Sequence, residues 1–183
     1  EADRDCPFED FVRWKPTGLY NAMLAPCFPY AVRAVLWYQG ESNTGDYAMR
    51  YGDELKAMIE LWRGKWHQPD MPFLIVQLPK FGIDAIEDGG WPLIREQEWR
   101  VADELEHVAA VVTLDAGESN DLHPHDKKTI ADRAFNVAMD FVYGQQAQPQ
   151  PVVETAEADD GLLRMHCVWR NSMGEQMQSQ NRH

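Results

Sequence analysis

Apolar runs of seven to nine residues alternate along this chain with longer segments whose apolar residues recur every three or four positions. The runs are "VRAVLWY" (32–38), "PFLIVQLP" (72–79) and "HVAAVVTLD" (107–115). Their β-branched and aromatic content, with little polar alternation, predicts strands buried on both faces. Between the first two runs, Tyr51, Leu55, Met58, Ile59, Trp62 and Trp66 mark one face of a helix over roughly 46–66, which Pro69 and Pro72 prevent from continuing. The stretch "WPLIREQEWRVADEL" (91–105) predicts a second helix, with Pro92 tolerated in its first turn. A third, over 126–144, carries Ile130, Ala134, Ala138 and Phe141 on one face, Asp126 as N-cap and Gly144 as its stop. Strand–helix order repeated in this way predicts an α/β domain of three layers, a parallel sheet covered on both faces.

The flanks read differently. Upstream, "PTGLYNAMLAP" (16–26) predicts a short helix closed by Pro26. Downstream of Gly144, "QQAQPQP" is a linker, "VVETAEADDGLLRMHCVW" predicts two short strands around an Asp159-Asp160-Gly161 turn, and the final "NSMGEQMQSQNRH" is a frayed polar tail. His166 and Cys167 in that strand pair are expected to be packing residues. With 183 residues, 44% of them hydrophobic, the chain can build one substantial core. A net charge of −13 repels phosphates and anionic lipid, so neither nucleic acid nor membrane is expected as a partner. The polar, acidic opening "EADRDCPFED" shows no signal-peptide pattern. Cys6, Cys27 and Cys167 form no C-x-x-C, which excludes a disulfide-dense scaffold and argues against a thiolate metal site, leaving any pairing open.

Ligands of open α/β sheets bind beyond the carboxyl ends of the strands. Two polar loops fall on that edge: Gln39-Gly40-Glu41-Ser42-Asn43 after the first strand, and residues 115–126, "DAGESNDLHPHD", after the third. In the second, His123 has the chemistry of a general base and acid, Asp121 is the nearest acid to orient it, and Pro124 stiffens the loop. The plain alternative is that His123 and His125 are solvated loop residues. In the first, Gln39 and Gly40 offer donors for a developing oxyanion, while Glu41 is a base or a support. The alternative there is that the glycines serve the turn and Asn43 caps the next helix. Ser42 sits where a nucleophile elbow would place a serine, but the G-x-S-x-G pattern fails at Thr44. No histidine–cysteine set has zinc spacing, and no metal or cofactor is expected.

Taken together, "VLWYQGESN" (35–43) and "NDLHP" (120–124) resemble the sialate O-acetylesterase family of SGNH-type carbohydrate esterases. "PTGLYNAMLAP", "PFLIVQLP" and "WPLIREQ" agree in consistent order, so the resemblance spans about residues 16–144. It implies a flavodoxin-like SGNH fold over residues 1–144, with 145–183 as a linker and short β-like tail or the start of a further domain. It also implies hydrolysis of O-acetyl esters on sugars by a serine nucleophile, with an acetylated carbohydrate as partner. His123 matches the family's base and Asp121 its orienting acid. Many SGNH enzymes have that acid three residues before the histidine, where Asn120 stands here, so Glu118 and Asp115 remain alternatives. Gln39 and Gly40 match the oxyanion wall, Glu41 lies against it, and Arg95 is expected to pair with Glu41, with Asn43 in support.

The family's serine lies on a turn before "LYNAM". The expectation is therefore that the nucleophile and first strand or strands belong to an N-terminal part of the same protein, and that the isolated chain has little or no esterase activity. Family members are often exported, which favours a secreted, periplasmic or lysosomal location. Two further readings stay open: a self-sufficient hydrolase using Ser42, and a non-catalytic carbohydrate-binding or interaction module on an esterase scaffold.

Overall fold

The computed structural model describes residues 16–82, 90–148, 150–159 and 162–170. In chain order these form β1 (Val35–Trp37), α1 (Tyr51–Trp66), β2 (Phe73–Val76), α2 (Gly90–Glu104), β3 (Val108–Val111), α3 (Lys127–Phe141), β4 (Gln150–Asp159) and β5 (Leu162–Arg170). The first three strands make one parallel sheet in the order β1-β2-β3, with Val35 opposite Phe73 and Phe73 opposite Val108.

Alternate residues of a strand point to opposite faces, and β2 shows both faces covered. Phe73 and Ile75 pack with Leu55 and Ile59 of α1 and with Ile94 and Val101 of α2. Leu74 and Val76 pack with Ile130, Ala134 and Val137 of α3. The result is a helix–sheet–helix sandwich, the expected three-layer α/β architecture. Asp126 caps α3 by accepting the Thr129 amide at 3.0 Å, and Gly144 turns the chain away with φ +61°.

Three local expectations are corrected. The first strand is three residues long, and Leu36 is 56% exposed rather than buried. It is the edge of the described sheet, and α3 lies over β2 and β3 instead. Pro26 does not close the helix of 16–26. A π turn over Tyr20–Leu24 runs on into a 3-10 turn over Ala25–Cys27, whose first positions tolerate a residue without an amide hydrogen. Residues Gly45–Arg50, expected to start an α-helix, are 3-10 and lead into α1.

The C-terminal strands form an antiparallel hairpin, longer than expected, with Asp159 opposite Leu162. Gln150 ties it to the sheet: its side-chain amide accepts from Val112 N at 3.0 Å and donates to Ala110 O at 3.1 Å, standing in for a strand along the outer edge of β3. His166 is exposed and lies 3.7 Å from Glu154, so it is not a packing residue. Cys27 is exposed and free. Cys6, the side chain of Cys167, residues 83–89 of the loop 80–90, the 160–161 turn and the 171–183 tail lie outside the described residues. Among the described residues, no helix is long and apolar enough to cross a membrane.

Candidate active site

At the carboxyl end of β1 the chain turns through Tyr38, Gln39 and Gly40, and the first residue of α1 pins it there. The Tyr51 hydroxyl donates to Gln39 O at 2.6 Å and accepts from Trp37 Nε1 at 3.3 Å. Burial pushes the Tyr51 pKa upward, so the phenol stays a donor at working pH. Gly40 is buried with φ +149°, pressed against Ile94, Leu78 and Tyr51. Within the loop, Asn43 N donates to Gly40 O at 2.9 Å. Asn43 does not cap the following helix, where Thr44 is the N-cap residue. It accepts the Gln39 side-chain amide at 2.8 Å instead. Gly40 N donates to Glu41 Oε2 at 3.0 Å. Both proposed oxyanion donors are thus engaged by neighbours in the same loop. Ser42 is exposed.

The second loop is laced to the end of β2. Thr113 Oγ1 donates to Gln77 O, Lys80 N to Leu114 O at 2.9 Å, and Gly82 N to Ser119 O at 3.0 Å. Gly117 lies so close to the Lys80 backbone that a Cβ there would fall 2.0 Å from Lys80 O. Beyond it, Asp121 Oδ1 accepts the His123 amide at 2.8 Å, and Glu118 Oε1 accepts the His125 amide at 2.7 Å. The Asp121 Oδ2 atom is 3.3 Å from His125 Nε2, so the imidazole paired with Asp121 is that of His125. Pro124 is fully buried and Leu122 packs on the main core, which leaves the His123 ring exposed on an anchored loop. Asp115 is committed elsewhere: Arg133 grips it through bonds of 2.5 and 2.7 Å and holds its carboxyl down at about 2.

The two loops emerge at the same edge of the parallel sheet: Lys127, the first residue of α3, places Nζ 5.4 Å from the centre of the Tyr38 ring, and Tyr38 and Leu122 each pack against the main core. Glu118, Asp121 and His125 bring ligand atoms within 4.8 Å of one another, the one metal-type cluster among the described residues. Hydrogen bonds within the loop already account for their arrangement.

Arg95 is half-buried and does not pair with Glu41 among the described residues. The carboxylate acting on it is Glu98, three positions along α2. Glu98 belongs to no motif of the sequence. It is fully buried, and its Oε2 accepts Leu78 N at 2.9 Å. Burial pushes its carboxyl up to about 8, against the opposing effects of the Leu78 amide and Arg95. The available signal was periodic: position 98 falls between Ile94 and Val101 on the apolar face of the helix.

Comparison with known proteins bears on the whole region. Residues 9–134 match the family of sialic acid-specific acetylesterases among the carbohydrate esterases. The chain is 30% identical over 192 residues to the sialate O-acetylesterase of Mus musculus, covering 89% of this chain and 35% of that protein. It is 30% identical over 174 residues to the sialate O-acetylesterase of Homo sapiens, covering 82% and 33% respectively. A carbohydrate acetylesterase from Xanthomonas citri, known from its crystal structure, superimposes with a TM-score of 0.70 at 32% identity, over 84% of this chain and 36% of that one. The chain therefore spans about a third of the length of the relatives it matches.

Proposed function

The chain belongs to the sialic acid-specific acetylesterase family of carbohydrate esterases, and from that premise we propose that it forms the histidine-bearing part of an enzyme that hydrolyses O-acetyl esters on sugars. In this reading a serine outside these 183 residues attacks the acetyl carbonyl while His123 takes the hydroxyl proton. The tetrahedral oxyanion collapses, and the imidazolium returns its proton to the departing sugar oxygen. Water then attacks the acetyl-enzyme with His123 again as base, releasing acetate and restoring the serine. Gln39 and Gly40 wall the reacting carbonyl. To donate to the oxyanion they exchange their present partners, Asn43 and Glu41, for it. Asp121 positions His123 through its backbone amide, with Arg95 and Asn43 as supporting residues.

The observation that carries this reading is that the Gln39–Asn43 and Asp121–His123 loops emerge at the same edge of a parallel sheet, with the His123 ring open to solvent. Sialic acid and related acylated sugars are the substrate class proposed. Among the described residues β1 is the outer strand of the sheet, which supports an additional strand from elsewhere in the protein pairing beside it.

The test uses the whole natural protein containing this chain. His123→Ala is expected to lower kcat/KM for an O-acetylated sugar by about 10²- to 10⁴-fold, while Ser42→Ala keeps both the activity and labelling by a serine-directed fluorophosphonate. Unchanged hydrolysis by His123→Ala sinks the assignment, and loss of labelling on Ser42→Ala moves the nucleophile into this loop.

A further inference from the structure

Resting on the esterase reading above, we propose that Glu98 is a positioning residue of this site, an uncharged carboxylic acid that braces the end of β2 and the Gln39–Glu41 wall from beneath. The carboxyl is fully buried on the inward face of α2. One oxygen is satisfied by the Leu78 amide at 2.9 Å, and the other has no hydrogen-bond partner among the described residues. No ion pair joins it to Arg95, although that guanidinium lies one turn back on the same helix. A carboxylate so placed would be a buried charge without a bonded counter-ion, an arrangement folded proteins avoid by taking up a proton. A neutral acid suits these surroundings better than a carboxylate: its carbonyl oxygen still accepts the Leu78 amide, and the oxygen left without a partner carries no charge.

Several groups face it. Arg95 comes from α2, Glu41 and Tyr38 from the turn after β1, and Tyr51 from α1. Arg95 favours the ionised form, while burial and the Glu41 charge oppose it. The route to the wall is short, because Leu78 and Ile94, the residues around Glu98, are those packed against Gly40. A neutral Glu98 leaves Glu41 on the Gly40 amide. An ionised one still accepts the Leu78 amide but repels Glu41, which bonds the Gly40 amide.

The experiment compares the whole natural protein with Glu98→Gln and Glu98→Ala over pH 5 to 9. In the native fold the acid keeps a proton that the unfolded chain releases. Stability therefore falls as pH rises above the ordinary glutamate value and levels off once the folded group ionises near 8. Thermal melting of the parent protein is expected to show this decline and Glu98→Gln to lack it. A ¹³C-carboxyl titration of the unsubstituted protein reads the same proton without any variant having to fold. In hydrolysis of an O-acetylated sugar, kcat/KM of the parent is expected to fall on the alkaline side near pH 8. Glu98→Gln retains the neutral-pH rate within about threefold and loses that fall, while Glu98→Ala drops by about tenfold or more throughout.

An alkaline fall that persists unchanged in Glu98→Gln overturns the positioning role, as does a carboxyl that titrates in the ordinary range. A parent protein that hydrolyses no acetylated sugar overturns the esterase reading and this role with it. The carboxyl titration keeps the two failures distinguishable.

Discussion

A Cβ at residue 40 would lie 3.0 Å from Ile94 Cγ2 and 3.2 Å from the Tyr51 hydroxyl, on a backbone with φ +149° that side chains with a Cβ rarely adopt. Gly40→Ala is therefore expected to destabilise the fold by about 1–3 kcal/mol, read by urea unfolding. Removing the hydroxyl in Tyr51→Phe strands the Gln39 carbonyl, a loss of about 1 kcal/mol. In the whole protein, hydrolysis should fall several-fold while the melting curve moves only a few degrees. An unchanged rate would show that the wall does not depend on this anchor. The loops holding Gln39, Gly40 and His123 were legible in the sequence, because each is a polar stretch beside a strand end. Tyr51 and Glu98 were not. In one dimension Tyr51 reads as one more apolar helix position and Glu98 as an ordinary charge. Their roles come from segments 12 and 20 residues away. Asp121 illustrates the converse: its proximity to His123 was plain, yet the imidazole it meets is that of His125.

Helix periods transferred well at the level of elements, because the 3.6-residue repeat is a property of the local backbone. Asp126 was readable as an N-cap for the same reason, and Asp126→Ala is expected to lower stability by about 1 kcal/mol in chemical denaturation. The Asp115–Arg133 pair joins the turn after β3 to α3. Its folded carboxyl sits below the ordinary aspartate value, so its contribution is fully present above that value and is lost as pH falls through about 2. Replacing Asp115 with Asn should accordingly lower the melting temperature at pH 6 and change little near pH 2. The length of β1 was not legible. An apolar run reports what a segment is able to bury, whereas strand length is set by the neighbours with which it shares hydrogen bonds. Only Val35–Trp37 have such a neighbour among the described residues.

For the molecule as a whole, the outer side of β1 stands out. Leu36, Phe135 and Tyr143 are 56%, 62% and 54% exposed around a groove of about 400 Å³ toward the amino ends of the strands. An exposed apolar patch of this kind promotes association between copies. Leu36→Lys in the 183-residue chain is expected to reduce self-association in sedimentation velocity; no change would show that this patch does not drive it. The sequence by itself determined the alternation of strand and helix, the parallel sheet with helices on both faces, and the edge where the two polar loops emerge. All of these rest on local periodicity and on the rule that parallel strands deliver their following loops to one side. Only the tertiary structure decided which groups pair around that edge: Tyr51 with Gln39, Glu98 with Leu78, and Gln150 with the rim of β3. Such pairings depend on distances between elements remote in the chain, which the local pattern of a sequence does not record.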